Sequence, residues 1–437
     1  MKFLKKQSSY NLVFFCNFLE LFDLYLYVHL SSILHKHLFP WLDESFLKYF
    51  SIAGVYLIAP LASLWWAKRG DSYGRRSVLI LSSLVTGIVT TMIAFIPDHT
   101  CWSETQKYYP LVILVILRVI QGIALAGEPS AAKLYSVESY IDKDRDMFFK
   151  NHAQWGERYL PIAVTKMTMG EGFGGILALG LMFFSTHFLA DYSWGWRFPF
   201  IFAAVSSIFV MIIRNFLMET EDFRRFTKKV STIPVESYFK RLSQKCLSNK
   251  KNGIIFLVLS MGYPVLFTFN FTFFSPLIIK QLGYEKDFIY LHNFWIVSAH
   301  LFFAYLMAYV PSKLGWHKYR TMAVYHIIAA IGVAALIYGS LTQDWPIWIY
   351  IVIQTITMLG ITWNLIYGYI LKKFPIEDRF KLMAAYGGSA RILSYIFFII
   401  IFPSVFNCND VLHYGILCIV MIVASMYAAY EFTKTNT

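Results

Sequence analysis

Four residues near the start of this chain could handle a hydrogen ion or grip a small polar molecule. Asn17, Glu20, Asp23 and Tyr27, spaced three, three and four apart, fall on one face of a helix. They sit within an apolar run, where a carboxyl costs roughly 3 kcal/mol unless it meets water, a cation or a proton, so two of them together point to work being done there. A carboxyl so placed can take up and give back a proton, or pair with a neighbouring helix. A second stripe, Arg118, Gln121, Leu125 and Glu128, lies on another apolar run. Arg118 can bind a carboxylate through two parallel hydrogen bonds, hold a nearby acid ionised, or simply brace the first helix through Glu20 or Asp23. Glu128 is a further candidate proton site. Later in the chain, Tyr263 and Asn270 share a stripe with Phe267 and Phe274, Gln354 and Asn364 share one with Thr357, and His292 and His300 lie on one run. Each of these can contact a bound molecule or be satisfied by packing. Arg391 carries a permanent charge in an apolar setting, which calls for an anion or a paired acid.

The elements that must position these groups are membrane helices. Apolar residues make up 57% of the 437, aromatic residues 19% and charged residues 15%, a balance that excludes an ordinary water-soluble domain. The net charge of +13 comes from Lys and Arg placed between apolar runs rather than on one face, so it reads as membrane topology and not as a nucleic-acid surface. Cys16, Cys101, Cys246, Cys408 and Cys418 show neither metal spacing nor a disulfide framework, although Cys101 and Cys408 fall in loops on the same side and leave a bridge open. No metal or cofactor is expected. Met1 to Lys6 with the run that follows mimics a leader, but its length and acids make it a retained first helix.

Spans of about 20 apolar residues fall near 11–33, 49–68, 76–96, 109–137, 161–187, 196–217, 253–279, 287–310, 321–342, 346–371, 382–405 and 411–431. The chain is therefore expected to be all-α, with twelve transmembrane helices in two six-helix bundles. With the first residue inside, roughly 29 Lys and Arg face the cytoplasm and roughly five face outward. Both termini are thus expected to be cytoplasmic. A polar connection over 219–252 divides the bundles into 1–218 and 253–437, and a charged helix on the inner leaflet is its expected state.

Between the second and third spans stands Ala67-Lys68-Arg69-Gly70-Asp71-Ser72-Tyr73-Gly74-Arg75-Arg76. Gly70 and Gly74 permit a tight turn, and Asp71 can accept from Arg75, Arg76 or a helix end. A weak echo, Ala308-Tyr309-Val310-Pro311-Ser312-Lys313-Leu314-Gly315-Trp316-His317, lies after the eighth span, with Ser312 where the acid would stand. The tract resembles the gate loop of the major facilitator superfamily, with Ala67 and Ser72 as departures. Asn-x-x-Glu-x-Phe-Asp at 17–23, Arg118 to Glu128, Trp194-Gly195-Trp196-Arg197-Phe198-Pro199-Phe200, and Arg214 to Phe223 resemble its metabolite:proton symporter branch. Phe374 to Arg379 is similar to that branch's loop after the tenth helix. Ala59 before Pro60, where the branch has Arg, and the unpatterned 143–160 tract depart from it.

The resemblance implies a central cavity and alternating access driven by a proton gradient, with members that carry proline and betaine, citrate, 2-oxoglutarate or shikimate. The expected function is proton-coupled uptake of a small polar metabolite across a bacterial inner membrane by a monomer. Glu20, Asp23 and Glu128 are the expected proton sites. The expected substrate contacts are Asn17, Tyr27, Arg118, Gln121, Tyr263, Asn270, Gln354, Asn364 and Arg391. Arg118 and Arg391, with Lys133 and Lys166, tilt the substrate toward a di- or tricarboxylate, including a citrate-like siderophore; a zwitterionic amino acid or betaine is the alternative. Gly170-Glu171-Gly172-Phe173-Gly174-Gly175 reads as close helix packing, and its likeness to an exporter motif keeps export open. A channel would lack the two-halves echo, and a membrane enzyme would need a clustered nucleophile, metal site or carboxylate pair that the motifs do not supply.

Overall fold

The computed structural model describes residues 17–18, 22, 25–26, 33–42, 44–127, 133–134, 137, 158–215, 235–360, 364–375, 378–396 and 411–434, with the backbone alone at 44–56, 71, 75 and 235–239. The first half contributes α1 (Glu44–Tyr73), α2 (Arg75–Ala94), α3 (Tyr109–Leu125), α4 (Leu160–Phe188) and α5 (Phe198–Arg214). A short, mostly polar α6 (Val235–Ser248) leads into α7 (Lys250–Phe267), which continues through a π-helical turn, Thr268–Phe274, into α8 (Ser275–Gln281). There follow α9 (Phe288–Leu314), α10 (Lys318–Thr342), α11 (Ile347–Gly360), α12 (Asn364–Lys373), α13 (Arg379–Tyr395) and α14 (Val411–Lys434). Eight described stretches are long and apolar enough to cross a membrane, and the shorter Tyr109–Leu125 adds to them. Most of the expected 11–33 span lies outside the described residues.

Local sequence explains the helix ends. Pro161 and Pro199 stand in the first turns of α4 and α5, where the missing N–H is no loss. Gly315 adopts φ 68° and closes α9 by donating its N–H to Pro311 O. The turn between α1 and α2 rests on Gly74, with φ 93°. Gly70, expected to share in that turn, lies instead in the last turns of α1. Its missing side chain serves contact: a Cβ there would stand 2.2 Å from the Phe380 ring of α13.

The halves meet through α4 on α9 and α12, and through α1 on α13. Small residues make these seams close. A Cβ on Gly172 would lie 2.2 Å from Leu301, and one on Gly368 2.5 Å from Leu160. Within lipid, van der Waals fit of this kind is the main attraction between helices. α6 docks on the second half, with Lys245 Nζ 2.8 Å from Asp378 Oδ2 and Tyr386 Oη donating to Cys246 O at 2.9 Å.

Buried apolar side chains gather into two layers, each drawn from both halves. One contains Leu117, Met182, Val297, Met358 and Tyr395. The other, toward the end bearing the basic turns, contains Ala126, Met167, Leu365 and Ala384. Arg118, Gln121, Thr168, Glu171, His300, Asn364 and Arg391 fall between the two along their own helices. The fold therefore holds a polar stratum between apolar ones.

Candidate functional site

The polar stratum is built in corners. In the first, Asn17 Nδ2 donates to Glu171 Oε1 at 3.1 Å and to Met167 O at 3.2 Å. Lys133 Nζ stands 3.1 Å from the same Glu171 Oε1. Glu171 is 6% exposed and Asn17 fully buried. Gly174, one turn from Glu171, permits this approach: a Cβ there would lie 1.8 Å from Phe18 O. The glycine run thus packs as its spacing indicates, and it also delivers a carboxylate that the reading of the run as packing had passed over.

In the second corner Arg118 Nη1 donates to Gln121 Oε1 at 2.6 Å, and Gln121 Nε2 passes the chain on to Thr90 Oγ1 at 2.9 Å. Arg118 is buried at 3% exposure, so its charge is held in place before any ligand arrives. Glu20, Asp23, Tyr27 and Glu128 lie outside the described residues.

A further polar cluster lies in the second half, within the first apolar layer rather than in the stratum. The Asn270 carbonyl takes the backbone N–H of Ser275 at the end of the π turn, and it also accepts from Gln354 Nε2 at 3.2 Å and from Ser275 Oγ at 2.9 Å. Gln354 Nε2 also donates to Ser275 Oγ at 3.0 Å. With both amide hydrogens engaged, Gln354 Oε1 accepts from His292 Nε2 at 2.8 Å, which assigns the imidazole proton to Nε2. Thr357 Oγ1 donates to Asn270 Oδ1 at 3.2 Å. Asn270 and Gln354, expected to face substrate, are fully buried and bonded to one another in this state. Tyr263 is half-buried and packs on Phe267, 6.2 Å between ring centres.

Contacts between halves occur at several levels. Asn364 Nδ2 donates to Thr168 Oγ1 at 3.0 Å, one helical turn from Glu171. Tyr25 meets Phe267 and Phe271 edge-on at 5.3 and 5.4 Å. Arg391, half-buried on α13, has no hydrogen-bond or ion-pair partner among the described residues. At the basic end a cavity of about 300 Å³ is lined by Arg158, Ser312, His317, Lys318 and Leu365, and so joins both halves.

The turn between α1 and α2, with the start of α2, is tied to the end of α5. Arg76 Nη2 donates to Asn215 O at 2.6 Å, and buried Arg214 donates through Nη1 to Leu79 O at 2.8 Å and to Ser83 Oγ. The side chains of Asp71 and Arg75 lie outside what the structure describes. At the opposite end, Arg197 Nη2 pairs with Asp98 at 2.9 Å, and the guanidinium donates to Ala94 O and Ile96 O and stacks over Trp196 at 4.2 Å. The Trp-Gly-Trp-Arg motif is thus a clasp on the end of α2.

Comparison with known proteins agrees with this architecture. The family model described as Major Facilitator Superfamily matches residues 13–399. The proline/betaine transporter of Escherichia coli (strain K12) is 24% identical over 387 residues, covering 84% of this chain and 72% of that protein. The shikimate transporter of the same strain is 30% identical over 211 residues, 47% of this chain and 44% of its own length. The citrate-proton symporter of Klebsiella pneumoniae is 27% identical over 210 residues, 47% of this chain and 44% of that one. Among solved structures, the E. coli proton:xylose symporter XylE bound to 6-bromo-6-deoxy-D-glucose superposes with a TM-score of 0.73 at 17% identity, covering 98% of this chain and 95% of that one. With twelve expected spans, seams between two halves and a family match along most of its length, this chain belongs to the Major Facilitator Superfamily.

Proposed function

We propose that the protein is a proton-coupled symporter that takes up a small organic carboxylate, such as a di- or tricarboxylate or a citrate-like siderophore, across the bacterial inner membrane. The observation that carries this reading is the polar stratum, supplied by both halves and capped by apolar layers on each side. A ligand held there is reached from one face when the seams at one end part, and from the other face when the opposite seams part. Halves 1–218 and 253–437 rock about it, with the basic end and both termini in the cytoplasm.

Cationic groups support an anionic ligand: Arg118 is buried and pre-oriented by Gln121, and half-buried Arg391 lacks a described partner. Glu20, Asp23 and Glu128 are the acids that the sequence nominates to carry the proton. A zwitterion is the second reading. The juxtaposed Lys133 and Glu171 offer both signs of charge, and the relative with the wider coverage is a proline/betaine transporter.

The test is uptake into proteoliposomes. An inward proton gradient is expected to drive accumulation of a labelled organic acid above equilibrium, and a protonophore to abolish it. Equal uptake with and without the gradient would overturn proton coupling, and gradient-driven uptake of betaine alone would select the second reading.

A further inference from the structure

We infer that Glu171 and Lys133 form a charge-exchange site: a proton on Glu171 releases Lys133 to bind the carboxylate of the substrate. The inference rests on the symport reading and extends it by naming a proton site that the acids of the first and fourth spans do not include.

The geometry carries the argument. Asn17 and Lys133 both engage Glu171 Oε1, at 3.1 Å each, and no described residue donates to Oε2. Asn17 Oδ1 is itself buried without a donor among the described residues. Among the described residues Glu171 Oε2 and Asn17 Oδ1 are thus both acceptors without a donor, and a carboxyl O–H on Glu171 would add one. The Lys133 side chain is 21% exposed against 8% for Glu171, so the ammonium is the more accessible member of the pair.

Charge decides the order of events. An unaccompanied carboxylate meeting Lys133 adds a negative charge beside a pair whose own charges already cancel, which is disfavoured. When a proton enters with it, the site passes from ammonium plus carboxylate to ammonium, carboxylic acid and bound carboxylate. The net charge is unchanged. The proton comes from bulk water and ends on Glu171, the Lys133–Glu171 ion pair breaks, and the Lys133–substrate pair forms.

Position supplies the link to the rest of the molecule. Gly172, beside Glu171, seals on Leu301, and Thr168, one turn away, accepts from Asn364. α4 is thus the helix on which the first half touches the second, and a change of partner at Glu171 occurs at that seam.

The test is carboxylate affinity as a function of pH, measured on the purified full-length protein with succinate and citrate as probes and succinamide as neutral control. Wild type is expected to bind a carboxylate more tightly as pH falls, approaching tenfold per unit for one linked proton, and to take up one proton per carboxylate bound. Glu171→Gln mimics the protonated state and is expected to bind tightly with no pH dependence and no proton uptake. Lys133→Met is expected to lose at least tenfold in carboxylate affinity while succinamide is unaffected. If either single variant fails to fold, Lys133→Met/Glu171→Gln removes both charges together and is expected to fold and to show weak, pH-independent binding. Flat affinity in wild type, a pH-steep Glu171→Gln variant, or failure of both acids to bind would overturn the inference. Gradient-driven uptake by wild type alongside any of these outcomes leaves the symport reading standing, whereas its absence removes that reading separately.

Discussion

At the scale of single residues, the proposed carboxylate binding turns on guanidinium and ammonium groups. Arg118 presents a planar fork already oriented by Gln121, and Arg118→Lys replaces it with a point charge that cannot pair bidentately. Carboxylate affinity is expected to fall about tenfold, measured by isothermal titration; unchanged affinity would make Arg118 a brace only. Away from the membrane core, His37 stacks on Trp196 at 5.5 Å, and burial holds its pKa below the ordinary value, opposed by nearby Asp98 and reinforced by Lys36, Arg197 and His99. Because the fold disfavours the imidazolium, this contribution to stability is complete above the ordinary histidine pKa and is lost as pH falls from there through the lowered folded pKa. The melting temperature of His37→Phe is expected to decline less than that of wild type between about pH 7 and pH 5. Arg197→Ala removes the Asp98 pair, two carbonyl contacts and the Trp196 stack at once, and is expected to cost about 2–4 kcal/mol in a denaturant titration. Much of this scale was hidden in the sequence. Glu171 sat among glycines whose spacing announced packing, and its partners lie 154 residues away at Asn17 and on a separate helix at Lys133. No local pattern joins such residues.

At the scale of helices, apolar runs and turn residues made the spans legible, but not what happens inside them. Hydropathy anticipated α2, α4, α9, α10 and α14 to within a few residues, while α1 proved longer at both ends than its 49–68 window. The π turn at Thr268–Phe274 has no periodic signature. Its Asn270 backbone carbonyl accepts from Gln354, which in turn accepts from His292, so a network forms through main chain as well as side chains. The glycines divide in the same way, since the sequence shows small residues and only packing shows which of them matter. Gly174→Ala brings a Cβ to 1.8 Å from Phe18 O, whereas Gly180→Ala meets nothing closer than 4.0 Å. The first is expected to abolish a monodisperse peak in detergent chromatography and the second to leave it intact. Equal behaviour of the two would mean that the first span does not rest on α4.

At the scale of the whole molecule, layers and topology make one claim. Cys101 is an exposed free thiol in the segment after α2, and Cys246 lies half-buried on α6 with its thiol pKa raised by burial. With the basic end inside, an impermeant maleimide is expected to label Cys101 on intact cells and Cys246 only, and slowly, after permeabilisation; the reverse pattern would invert the topology. The number of spans, the basic loops and the two halves could be read from composition because lipid imposes them. The polar stratum could not, because it exists only where helices distant in sequence come together at one depth. Its purpose is tested most directly by recording the lumenal pH of proteoliposomes as an organic acid is added outside. Symport predicts lumenal acidification in step with acid uptake, and the proposed Glu171 site predicts that Glu171→Gln loses it. Uptake of the acid at constant lumenal pH in the wild type would contradict the account.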